Sequence, residues 1–191
     1  MDNTSHHIAF MRANPLHRMH ATVINDVVNS ANEEGAGHTI ILSHSHDNKK
    51  NPLTPEQKLT HARAAFPEAN IITSSKEQPT VLQHAARLYN NGVRNLTFHA
   101  GSDRLPMGDL IKQYNGKEGP HGYFNFKNVN VKQVGEDRTK GETKGENTSD
   151  EEVSATLMRD AARKNDRKTF HSMAPTTMST EQKDAMFNDV K

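Results

Sequence analysis

The sequence predicts an α/β protein built on a parallel sheet, and three observations carry that reading. Short apolar runs of strand length recur at Ile8 to Ala13, His38 to Ser45, Asn70 to Ser74 and Asn95 to Ala100, each bounded by turn residues. Between them lie stretches with apolar residues at helical spacing. Three strand-helix repeats followed by a strand imply a parallel sheet with right-handed crossovers.

Taken in order, Ile8 to Ala13 forms the first strand and Asn14-Pro15 breaks it. His17 and His20, three apart, stand at the mouth of a helix that continues through Ala21 to Asn32. Val23, Ile24, Val27, Val28 and Ala31 mark its sheet-facing side, and Gly35 and Gly37 end it. HTIILSHS, from His38 to Ser45, reads as a buried second strand. After the loop HDNKKNP, Thr54-Pro55-Glu56-Gln57 supplies an N-cap, a proline at the first helical position and an acid and an amide in the first turn. That helix runs to about Phe66, where Pro67 stops it.

Asn70 to Ser74 is the third strand, and Thr80 to Asn91 a helix closed by Gly92. Asn95 to Ala100 ends on Gly101-Ser102-Asp103. Leu105 to Tyr114 is a helix, and Phe124 to Val134 holds the alternating strand NVNVKQV. Gly135 to Glu152 has hardly an apolar residue and reads as a flexible polar loop. Ser154 starts the helix SATLMRDAARKN, and short helices follow around Ala174-Pro175. The expected organisation is one α/β domain over residues 1–170, with its polar loop at about 135–152, and a helical tail over 171–191. The chain has no internal repeat.

Composition narrows the function classes. The chain's 191 residues allow one full domain, and 32% hydrophobic against 25% charged residues make a modest core. Lys+Arg 24 against Asp+Glu 23 leaves a formal charge of +1, which argues against a nucleic-acid coat or a membrane-surface protein. The absence of cysteine excludes disulfides, thiolate metal sites and cysteine nucleophiles. No apolar run approaches the roughly 20 residues of a membrane span, and MDNTSHH lacks a signal-peptide core. A soluble, cytoplasmic protein is the expectation.

In open parallel sheets ligands sit beyond the carboxyl ends of the strands. That places Asn14 to His20, His44 to Lys50 and Gly101 to Arg104 on one rim. A strand, a tight turn and a helix N-terminus carrying basic side chains suit an anion, because free backbone N–H groups and the positive end of the helix dipole converge there. Nucleotide phosphates are the expected ligand. His44, His46 and Asp47 offer a weaker reading as a metal cluster, since a chain with 12 histidines produces such groupings by chance.

The segment Asn14-Pro15-Leu16-His17-Arg18-Met19-His20 resembles the N-P-x-H/T-x-G-H signature of the nucleotidyltransferase superfamily, which includes cytidylyltransferases and nicotinamide-mononucleotide adenylyltransferases. Ser154-Ala155-Thr156-Leu157-Met158-Arg159 resembles its second signature, S-x-T-x-x-R, and Gly101-Ser102-Asp103 its G-S-D at the end of the fourth strand. KKNPLTPEQKLTHARAAFP, GSDR, YNGKEGPHGYFNF and VSATLMRDAARKND look like the phage-encoded proteins of this superfamily. The resemblance spans roughly residues 7 to 170.

What it implies is a Rossmann-like doubly wound sheet with C-terminal helices, and transfer of a nucleotidyl group from ATP or CTP to a phosphorylated acceptor. His17, His20 and Arg159 would be catalytic, the histidines donating hydrogen bonds to the triphosphate and Arg159 holding its β and γ phosphates with Ser154 and Thr156. Lys49 or Lys50 would bind the acceptor phosphate, and Gly101, Ser102 and Asp103 would lie against the nucleoside. Arg12, Asn14 and Arg104 complete the substrate-binding set. Mg2+ is expected with the triphosphate, and no metal is assigned to the side chains. A homo-oligomer or association with phage proteins fits the same resemblance. The chain departs from the signature at Met19, where glycine is expected, and at Met11 and Ala13, where a glycine and an aromatic are expected. A nucleotide-binding or structural component of a phage particle or assembly, with reduced chemistry, is therefore the second reading.

Overall fold

Thr54 accepts a hydrogen bond from Gln57 N at 3.1 Å and Gln57 Oε1 accepts one from Thr54 N at 2.9 Å, so the capping pair expected from the sequence closes the first turn of its helix. The same reciprocal box forms at Thr80 with Gln83 and at Ser179 with Gln182. Local signals of this kind set out most elements of the computed structural model, which describes residues 4–77, 79–135 and 154–191.

In chain order these are β1 (Ser5–Met11), α1 (Arg18–Glu34), β2 (Gly37–Leu42), α2 (Pro55–Ala65), β3 (Ile71–Thr73), α3 (Val81–Asn90) and β4 (Asn95–Ala100). A single 3-10 turn, Ser102–Arg104, leads into α4 (Leu105–Tyr114), followed by β5 (Asn128–Gln133), α5 (Ala155–Arg163), α6 (Arg167–Met173) and α7 (Thr180–Val190). The five strands form one parallel sheet in the order β3-β2-β1-β4-β5. This is a Rossmann-like, doubly wound α/β fold. The winding reverses between β1 and β4.

Each face of the sheet carries its own core. On one, Val23, Ile24 and Val27 of α1 meet Ala9 and Met11 of β1, with Met158, Phe170 and Phe187 of the C-terminal helices packed in. On the other, α3 and α4 cover Ile8, Phe10 and Phe98. Gly108 lets α4 approach closely, since a Cβ there would lie 2.8 Å from both Phe98 Cδ2 and Val131 Cγ2. Residues from Met173 to Val190 belong to the same core as β1. Among the described residues no helix is long and apolar enough to cross a membrane.

The boundaries of the first three strands differ from expectation: β1 ends at Met11 where the run to Ala13 was expected, and β2 ends at Leu42 where the run to Ser45 was expected. β1 begins at Ser5, because His6 and His7 pair in register with Gly37 and His38 and with Leu96 and Thr97. β3 spans only Ile71–Thr73, opposite Ile40 to Leu42. The polar loop expected at about 135–152 lies outside the described residues apart from Gly135.

One cation is built into this scaffold. Lys58, in the first turns of α2, is 2% exposed. Its ammonium donates to Arg12 O at 3.0 Å, to Ser43 O and to Ser43 Oγ at 3.1 Å, tying together the chain just beyond the ends of β1 and β2. Burial, and then the charge of Arg12, lower its pKa from 10.5 to about 8. Between those values the unfolded chain holds a proton that the folded chain has lost, so stability rises with pH across that window. The gain is on the order of 3 kcal/mol once the window is crossed. The unfolding free energy of the unmodified chain minus that of Lys58→Met is predicted to increase between about pH 8 and pH 10.5 in urea titrations. A flat difference would show that the buried group does not titrate there.

Candidate functional site

A cavity of about 280 Å3 opens at the carboxyl ends of β1 and β4, where the winding of the sheet reverses. Its walls come from Phe10 to Asn14, the first turns of α1, His99 to Gly101, Arg104, Val134 and the start of α5.

The first turn of α1 is capped by imidazoles. His17, the N-cap, accepts the Met19 N–H on Nδ1 at 3.2 Å, and His20 Nδ1 accepts the His17 N–H at 3.1 Å. This is the reciprocal geometry of a capping box with rings in place of hydroxyl and carboxylate. The rings stack with centroids 3.8 Å apart and planes 20° apart. A neutral ring whose Nδ1 accepts carries its proton on Nε2, and both residues line the cavity. No acidic side chain lies in this first turn, leaving the positive end of the helix dipole uncompensated by a carboxylate of α1.

Asn14 and Arg159 fasten the turn that precedes α1. Ala13 has φ 49°, a left-handed conformation that costs a residue with a Cβ about 1 kcal/mol. The Asn14-Pro15 peptide is cis. Asn14 is fully buried, and its amide matches one backbone pair: Oδ1 accepts from Leu53 N at 2.8 Å and Nδ2 donates to Leu53 O at 3.2 Å. Its carbonyl accepts from Arg159 Nη1 at 2.9 Å, and Arg159 Nη2 donates to Thr156 Oγ1 at 3.2 Å. Arg159 is 7% exposed. Burial most of all, then the charges of Arg163 and Arg12, lower its pKa, with Asp160 and Asp47 acting the other way.

The charge of the cavity is one-sided. Arg12, Arg104, Arg159, His17, His20 and His99 line it, and no Asp or Glu does so among the described residues. Such a wall suits an anion, with planar guanidinium donors matched to phosphate oxygens.

Of the residues singled out in the sequence, Arg12, Asn14, His17, His20, Gly101, Arg104, Ser154, Thr156 and Arg159 line this one cavity. The Asn14 side chain is spent on Leu53, so only its backbone faces outward to Arg159. Ser154 is the N-cap of α5, accepting from Leu157 N at 3.1 Å. Lys49 and Lys50 are exposed and outside the lining. Their backbone N–H groups donate to Asp47 Oδ1 at 2.7 and 2.8 Å, and Arg163 of α5 holds the loop by donating to Asn48 O and Lys49 O at 3.1 and 2.8 Å. Ser102 opens the 3-10 turn, away from the lining, and the Asp103 side chain lies outside the described residues.

His44, His46 and Asp47 do not assemble as a ligand set among the described residues. His44 Nδ1 is 2.8 Å from Ser74 Oγ. Asp47 is turned onto its own loop, where the Asn51 side chain and the N–H groups of Lys49, Asn51 and Lys50 hold its carboxyl well below the usual range.

Met19, in the signature-glycine position, is half-buried and lines the cavity. Its Cε lies 3.5 Å from where a Cβ at Gly135 would stand. Sequence reasoning passed over Lys58, His7 and His99. A signal existed for the first: Lys58, His61, Ala62 and Ala65 are the buried positions of α2, at i, i+3, i+4 and i+7.

No protein-family model matches the chain, and a search of characterised proteins returns no match.

Proposed function

We propose that the cavity binds a nucleoside triphosphate and that the protein is a nucleotidyltransferase, passing a nucleotidyl group from ATP or CTP to a phosphorylated acceptor with release of pyrophosphate. The observation that supports this most is the meeting of His17, His20 and Arg159, from opposite ends of the chain, in a cavity with cationic and no anionic side chains among the described residues. In the reaction an oxygen of the acceptor phosphate bonds to the α phosphorus and the bond from that phosphorus to the bridging oxygen breaks. Pyrophosphate carries off the electron pair. No protein nucleophile is needed, and catalysis reduces to positioning and charge neutralisation.

Each group has a role that its geometry supports. The Nε2–H edges of His17 and His20 stand at the N-terminus of α1, where charge on the transferred phosphoryl group would be stabilised. Arg159, held in place by Asn14 O and Thr156, presents the remaining donors of its fork to the leaving phosphates. Arg12 and Arg104 would neutralise the rest of the charge. The described side chains lining the cavity include no carboxylate, so they offer Mg2+ no hard oxygen-ligand set. The cation expected with a triphosphate would be held by phosphate oxygens.

Met19 favours a second reading, a nucleotide-binding or structural component, for example of a phage particle, in which the fold remains and turnover is reduced. Its side chain occupies the cavity wall at the position where the resembled signature has only a backbone.

Thermal-shift measurements with ATP, CTP, GTP and UTP, each with and without Mg2+, are predicted to show stabilisation by one triphosphate above the others. No shift with any would overturn nucleotide binding. In a pyrophosphate-release assay, His20→Ala and Arg159→Lys are predicted to lower kcat about 100-fold. Arg159→Lys keeps a donor for Asn14 O, separating chemistry from folding. Full turnover in both variants would reject the catalytic assignment. Met19→Gly should lower stability by about 1 kcal/mol through helix propensity and more through lost packing. A rise in pyrophosphate release in that variant would assign the limit on turnover to the Met19 side chain, and an unchanged rate would clear it.

A further inference from the structure

Where the pairing of β1 with β2 stops, a lysine takes over as donor. Met11 and Leu42 are the last partners in register, and Ser43 N still donates to Met11 O at 2.9 Å. The carbonyls of Arg12 and Ser43, just beyond, are both taken by the ammonium of Lys58, which also donates to Ser43 Oγ at 3.1 Å. Three hydrogens meet three oxygens, so this buried group has no donor left over.

The bond to Arg12 O, 3.0 Å long, orients one particular peptide. That peptide joins Arg12 to Ala13, the residue whose φ is 49°. A peptide is a rigid plane, so holding its oxygen fixes the direction in which the chain leaves Arg12 and enters the turn. The far end of the same turn is held by the bond from Arg159 to Asn14 O at 2.9 Å. Packing alone would be served by an apolar side chain, which carries no cost of burying a charge. What the ammonium adds is a directed bond to a carbonyl of the cavity turn.

Arg12 lines the cavity, and Lys58 does not. Among the described residues no hydrogen bond or ion pair involves the Arg12 side chain, so its backbone decides where the guanidinium starts from. The charge of Arg12 reaches both cations that pin the turn. It lowers the pKa of Lys58 after burial, and that of Arg159 after burial and the charge of Arg163.

We propose that Lys58 is a positioning residue for anion binding: by holding the Arg12–Ala13 peptide it sets the stance of Arg12 in the cavity wall, and it contributes to affinity through Arg12 without touching the ligand. This rests on the reading of the cavity as an anion site. Helix α2 thereby acts on the site through a single backbone oxygen.

A double-mutant cycle on the full chain tests this, with inorganic tripolyphosphate as the probe and its Kd read by calorimetry at neutral pH. Arg12→Ala and Lys58→Met are each expected to weaken binding about tenfold, the scale of one charge-assisted hydrogen bond. The two together are expected to lose no more than the larger single loss, because one acts through the other. Losses that multiply to about a hundredfold in the double variant would overturn the proposal, since Lys58 would then act independently of Arg12. Unchanged affinity in Lys58→Met would overturn it as well. Should Lys58→Met fail to fold, Ser43→Ala takes its place in the cycle, removing one acceptor and leaving the ammonium where it is. There a loss of about threefold that disappears in the Arg12→Ala background is expected. Unchanged affinity, or a loss that persists in that background, would overturn the proposal. Failure of the unmodified chain to bind tripolyphosphate would overturn the anion reading and the proposal together, whereas binding with multiplying losses removes only the role of Lys58.

Discussion

The hydrogen bond from Arg159 to the carbonyl of Asn14 is the contact on which the cavity depends. It joins α5 to the turn beyond β1, and the Asn14 amide joins the same turn to the segment ahead of α2 through Leu53. A buried guanidinium is costly to keep without partners. Its partners here are a carbonyl and a hydroxyl, so its charge is oriented without being neutralised. The interaction that holds the turn in place also leaves a cation at the cavity wall. An account of this wall as simple packing would leave that charge unexplained.

Backbone groups do much of the work that paired ions do in other scaffolds. Lys58 satisfies carbonyls from the chain beyond two strands, and Arg163 satisfies two carbonyls of the loop after β2. Acidic side chains take their places elsewhere: Asp26 in the middle and Glu34 at the end of α1, Asp47 within its own loop and Asp184 beside Arg167 and His171. A formal charge of +1 for the chain thus coexists with a strongly cationic cavity. Net charge is a poor guide to the field at one site when the two signs are separated in space.

What could be read from the sequence divides along the distance over which the information acts. The cap of α2, the helical faces and the parallel order of the apolar runs were legible. His17, His20 and Arg159 could be singled out because each sits in a short segment of fixed spacing. The polar start of β1 could not, because what makes Ser5 to His7 a strand lies in Gly37, Asn95 and their neighbours, and the polar side chains find partners as distant as Glu34 and His99. The loop carrying Lys49 and Lys50 follows the carboxyl end of β2. Its side chains lie off the lining because Asp47 and Arg163 fix how the loop folds, which no local pattern announces.

The enclosure of residues from both ends of the chain in one core bears on how the protein is made. Ala9 and Met11 of the central strand pack in the same core as Met186 and Val190 of α7, and the Arg159 to Asn14 bond spans 145 positions. During synthesis the middle strand of the sheet emerges well before the helices that cover it. Until α5 to α7 dock, the apolar face of β1 lacks part of its cover and the cavity wall lacks Arg159. The cationic cavity is therefore completed only once α5 to α7 have docked, so its formation is tied to the packing of these helices.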